Sequence, residues 1–86
     1  KTYGQVNGLS YREINSYVDN LANGQRAIII SEEAGAPHAF NAIRIDGKSF
    51  FYDAQSGHVF KNVLEQVQDK NASFNIIYTE LGKNPW

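Results

Sequence analysis

The chain has 86 residues, 42% of them apolar and 20% charged, and carries a net charge of −1. That length suits one domain burying only roughly 60% of its unfolded surface. The composition is that of a folded globule, and the near-zero charge gives no basic field for nucleic acid. Cysteine is absent, which removes disulfides, thiolate metal sites and a thiol nucleophile from these residues.

In chain order, Lys1 to Gly8 contains two glycines and reads as an irregular lead-in. Ser10-Tyr11-Arg12-Glu13 fits a capping box, and Tyr11, Ile14, Val18 and Leu21 follow at helical spacing, which predicts a helix over about 10–22 stopped by Asn23-Gly24. Arg26 to Ile30 is β-branched and apolar and reads as a buried strand; the polar stretch 31–37, with Gly35 and Pro37, reads as a loop. Ala39 to Ile45 and Lys48 to Ala54 are two strands joined at Asp46-Gly47, the strongest short hairpin signal. Phe60, Val63, Leu64 and Val67 predict a second helix over about 59–69, ended by Lys70-Asn71. Ser73 to Thr79 alternates as a last strand, and Trp86 in the tail is expected to cap apolar surface. The expected order is α-β-β-β-α-β, an α+β domain with a mainly antiparallel sheet and two helices. The expected core is Ile14, Val18, Leu21, Ile28, Ile30, Phe60, Val63, Leu64, Val67 and Ile76. The longest apolar run, Ala27 to Ile30, is far below the ~18 residues of a membrane helix, so no membrane insertion is expected. The chain starts at Lys1 without Met and is read as a single domain at the C-terminal end of a longer protein.

The hairpin turn dictates a register. With a two-residue loop at Asp46 and Gly47, Ile43 faces Phe50, Asn41 faces Tyr52 and His38 faces Gln55. His38, Phe40, Ala42 and Arg44 then share a face with Ser49, Phe51, Asp53 and Gln55. Diagonal neighbours on one face have Cβ atoms ~7–8 Å apart, a gap that His and Asp side chains can close. A carboxylate on one imidazole nitrogen fixes the tautomer and presents the other as a base. The alternative is that Asp53-Ala54-Gln55-Ser56-Gly57 is turn chemistry alone.

The stretch from His38 to Gly57, HAFNAIRIDGKSFFYDAQSG, together with the strand after Gly24, resembles the C-terminal half of papain-fold toxin domains, polymorphic bacterial effectors that act as cysteine-dependent deamidases or proteases. The likeness covers roughly residues 20–57. It implies His38 as the catalytic histidine, Asp53 as the acid that orients it, and Gln55 as part of the motif at the hairpin's end. It also implies delivery by a bacterium into a target cell's cytoplasm, attack on a Gln or peptide carbonyl of a target protein, and a cognate immunity protein as partner. No cofactor is implied. The family's nucleophile is a cysteine on a helix before the histidine, and these 86 residues contain none. The thiol therefore lies before Lys1, or the chain is a Cys-less relative with different chemistry, or it is a copy that only binds. Ser10 is better explained as a helix cap than as a substitute nucleophile.

Two other readings stand beside this one. A Cys-less toxin ribonuclease would use His38 as general base or acid on an RNA 2′-OH, with Arg44 or Lys48 on the phosphate. A binding module would need no chemistry at all. His58 is expected at the start of the second helix, where a cation is disfavoured. Glu32-Glu33 reads as a solvated loop or as a rim that shapes access to the site. Phe50, Tyr52 and Tyr78 read as sheet packing. Arg12, Arg26, Arg44 and Lys48 would bind phosphate only by converging in space. The histidines and acids show no metal-ligand spacing.

Overall fold

A computed structural model describes residues 4–33, 36–67 and 69–80. The elements, in chain order, are β1 (Gln5–Leu9), α1 (Tyr11–Asp19), β2 (Arg26–Glu33), β3 (Ala36–Ile45), β4 (Lys48–Tyr52), β5 (Val59–Phe60), α2 (Val63–Gln66) and β6 (Ser73–Tyr78). The strands form one sheet in the order β1-β6-β2-β3-β4-β5, and every pairing is antiparallel. Both helices lie on one face of it, so the domain is a two-layer α+β fold.

Local chemistry sets each element. The Ser10 hydroxyl accepts from the Glu13 N–H at 3.2 Å, while the Glu13 carboxylate accepts from the Ser10 N–H at 2.9 Å, which completes the expected capping box. Helix α1 then turns Ile14 and Val18 fully into the core. It stops at Asp19, with Asn20 as its cap, three residues before the predicted end. Gly24, at φ +81°, redirects the chain into β2, and its N–H donates to the Arg44 carbonyl of β3. The β3–β4 turn has φ +51° at Asp46 and +75° at Gly47, the two left-handed residues of a tight hairpin turn. The register is the predicted one as far as the ladder runs: Ile43 faces Phe50 and Asn41 faces Tyr52, but β4 ends there, short of Ala54, and Gln55 lies in a turn instead of pairing across from His38.

Several expectations are corrected. The lead-in is a strand, because β1 pairs with β6; the register slips by one residue between Val6 and Leu9, and Gly8 sits in that slip at φ +72°. A bulge with a glycine in it imitates a loop in sequence. The loop 31–37 is mostly strand: β2 runs to Glu33, and Ser31 pairs with His38 and Glu32 with Pro37. Gly35 and the tail with Trp86 lie outside the described residues. The second helix does not begin at 59. Val59 and Phe60 pair with Tyr52 and Phe51 as β5, and Asn62 then caps a helix of only four residues. The Asn62 side chain accepts from the Leu64 N–H at 2.9 Å, and Glu65 accepts from the Lys61 N–H at 2.9 Å. The spacing of Phe60, Val63 and Val67 thus reports a strand end, one helical turn and an extended residue that all face the same core. The observed order therefore adds β1 and β5 to the predicted α-β-β-β-α-β.

The core lies between the sheet and the helices. It comprises Leu9, Ile14, Val18, Leu21, Ile29, Phe40, Phe51, Val63, Val67, Phe74 and Ile76, with Ala27, Ala42 and Ala72 filling the smaller gaps. Of the expected core, Ile28, Ile30, Phe60 and Leu64 are only half-buried. Ile29 takes the inward position in β2, so Ile28 and Ile30 emerge on the opposite, helix-free face. Asn15 ties the helices together by accepting from the Val63 N–H at 3.3 Å. No described helix is long and apolar enough to cross a membrane.

Candidate functional site

His38 stands near the start of β3, and Asp53 is the first residue after β4. The hairpin register puts both side chains on the core face, where His38 Nε2 lies 3.4 Å from Asp53 Oδ2. The two sit at the end of the apolar row. The His38 ring stacks at 5.8 Å on Phe40, which meets Phe51 edge-on at 6.1 Å. The imidazole is therefore held on one side by packing and at one nitrogen by a carboxylate. Its side chain keeps 33% of its exposure, so the residue is partly open to solvent.

Asp53 is only 8% exposed, and the turn that follows is built around it. Its second carboxylate oxygen accepts from the Gln55 N–H at 2.9 Å, its carbonyl accepts from the Gly57 N–H at 2.8 Å, and its own N–H donates to the His58 carbonyl at 3.0 Å. Gly57 closes the turn at φ +76°, a conformation open to glycine at little cost. The turn chemistry of Asp53-Ala54-Gln55-Ser56-Gly57 and the approach of Asp53 to His38 thus coexist: one oxygen organises the turn while the other faces the histidine. Gln55 is exposed and takes part through its backbone N–H.

The other sequence candidates lie elsewhere. His58 precedes β5 rather than starting a helix; it is exposed, with its ring edge-on to Phe60 at 6.2 Å. Glu32 is on a strand and alternates with Ser31, which places it on the face opposite His38, where it accepts from Asn75 Nδ2 at 3.4 Å; it forms no rim to the site. The side chain of Glu33 lies outside the description. The cations do not gather beside His38, and Lys48 lies on the opposite face at the hairpin end. Arg26 pairs with Glu80 at 3.5 Å, Arg44 pairs with Asp19 at 3.3 Å and donates to Ser49 at 2.7 Å, and Arg12 lies over the Tyr11 ring. Arg44 shares its strand with His38 but is six positions away, about 20 Å along the strand. Phe50 and Tyr52 pack on the helix-free face and Tyr78 against the core. Among the described residues no group of three or more His, Cys, Asp or Glu could hold a metal ion.

Sequence reasoning missed Ser31. It is completely buried, pairs across from His38, and its hydroxyl donates to the His38 carbonyl at 3.3 Å. The signal was present in the alternation Ala27-Ile29-Ser31, but it shows only once β2 is carried past Ile30.

No protein-family model matches the chain, and no curated protein matches it significantly.

Proposed function

We propose that this chain is the histidine–aspartate half of a papain-like effector domain that acts on a glutamine side chain or peptide carbonyl of a target protein. The supporting observation is the pairing of His38 Nε2 with the buried Asp53 carboxylate, at the edge of the core and partly open to solvent. A carboxylate in that place favours the tautomer protonated at Nε2 and stabilises the imidazolium once formed. Proton transfer then falls to Nδ1.

These residues contain no Cys, so the thiol is supplied from outside residues 1–86. In the proposed step, Nδ1 takes the thiol proton and the thiolate attacks the substrate carbonyl carbon. The imidazolium gives that proton to the departing nitrogen as the C–N bond breaks, leaving a thioester and, from glutamine, ammonia. Water then attacks the thioester, losing its proton to His38, and the acid and the thiol are released. Transfer into a competitor's cytoplasm and a cognate immunity protein follow from the same reading. The ribonuclease alternative needs a cation beside His38, and Arg44, the described cation nearest to it in sequence, is held elsewhere by Asp19 and Ser49.

The test is incubation of a thiol-bearing form of the domain with a glutamine-containing protein, reading ammonia release and peptide cleavage, with RNA as a parallel substrate. Loss of turnover in His38→Ala supports the proposal. RNA cleavage that depends on His38 moves the chain to the ribonuclease reading, and turnover unchanged by His38→Ala refutes both.

A further inference from the structure

The helix-free face of the sheet is mainly apolar around a half-buried Asn41 at its centre, and unlike at its two ends. Ile28, Ile43, Phe50 and Tyr52 lie half-buried across β2, β3 and β4. The two exposed large hydrophobic residues among those described, Ile45 at 43% and Val59 at 64%, are on this same face, since Ile45 pairs with Lys48 and Val59 with Tyr52. Exposed Glu32 stands at one end of the strands and exposed Lys48 toward the other, where Arg26 is already paired with Glu80.

We infer that this face binds a second copy of the chain, sheet against sheet. A two-fold axis lying between the faces and running across the strands superposes the opposite ends of the two copies. Glu32 of each copy then lies over the Lys48 end of the other, and the mainly apolar centres meet. An axis running along the strands would instead set like charges together, so the charge pattern selects the first arrangement. Sheets packed in this way stand about 10 Å apart with strand directions near −30°, a gap that Glu and Lys side chains span. Six strands at about 4.8 Å spacing and three rows of side chains cover roughly 500 Å² per copy, so the pair buries about 1,000 Å², the lower bound for a specific interface. The dimer is therefore a weak one. His38 and Asp53 lie on the opposite face, away from this contact, so this inference stands independently of the proposed activity.

Sedimentation equilibrium of the 86-residue chain tests it, with circular dichroism confirming that each variant is folded. The wild-type chain is expected to reach twice its 9.7 kDa mass at about 10–100 μM. Glu32→Lys and Lys48→Glu, both at exposed positions, each weaken self-association about tenfold, because each repulsive contact occurs twice in the symmetric pair. Mixed together, the two variants form a heterodimer with an affinity near that of the wild type, since every Lys then meets a Glu. A chain that stays monomeric throughout, or single charge reversals that associate as well as the wild type, overturns the proposal. A mixture no tighter than either variant alone overturns it too.

Discussion

Asp53 holds two structures at once, and its two oxygens separate them. Oδ1 accepts from the Gln55 N–H and keeps the turn; Oδ2 faces His38. Asp53→Ala removes both and leaves a part-buried N–H without its acceptor, which costs about 1–3 kcal/mol in urea denaturation. Asp53→Asn retains an oxygen for Gln55 and costs less; equal losses would contradict the division of roles. In the active form Asp53→Asn reduces turnover less than His38→Ala, because an amide still orients an imidazole. The imidazole 15N shifts of His38 report the same contact directly: the Nε2–H tautomer dominates in the wild type, and Asp53→Ala lowers its share. Tyr78 carries a separate pH dependence. Burial first, and the neighbouring Tyr17 second, push its phenol above the ordinary value of 10.0. The unfolded chain therefore ionises Tyr78 first, so this contribution to stability is complete below about pH 10 and is lost as pH rises through the folded value. A urea midpoint that rose between pH 10 and 11 would contradict that sign.

At the scale of elements, legibility tracked how local the determining chemistry was. Ser10 with Glu13, and Asp46 with Gly47, act over two to four residues, and the structure has the cap and the hairpin where the sequence places them. Ser10→Ala is accordingly expected to cost about 0.5–2 kcal/mol of stability by thermal denaturation. The His38–Asp53 approach was readable for the same reason, since one turn carries the register outward to both residues. Elements fixed by distant partners were not readable. Strand β1 exists because β6 lies beside it, and β5 because β4 does. Within the 59–69 stretch the apolar spacing is helical, but Asn62 takes a cap position, and a cap inside a helical pattern divides it. Ser31 beside His38 was hidden by its polar neighbours Glu32 and Glu33, which read as loop until the pairing with β3 is known.

For the molecule as a whole, the sheet divides the chain into a buried layer and an open one, and Ala27-Ile28-Ile29-Ile30 shows how little of that division the apolar pattern carries. Each residue in that run suits a core, yet only Ala27 and Ile29 face one. Ile29→Ala is expected to cost about 2–5 kcal/mol in the dilute monomer, and Ile28→Ala clearly less, because only the first opens a cavity under the helices. Similar losses at the two positions would mean that the faces are misassigned. The core face also carries the candidate site, with the row from Phe51 through Phe40 ending at His38 and packing against its ring. The central claim is that His38, oriented by Asp53, moves the proton for a thiol supplied from outside these residues. The most direct measurement is ammonia release from a glutamine-containing protein by three samples: the 86-residue chain, the thiol-bearing form, and that form with His38→Ala. Turnover by the thiol-bearing form alone is the predicted result. Turnover by the 86 residues unaided, or turnover that survives His38→Ala, would contradict the account.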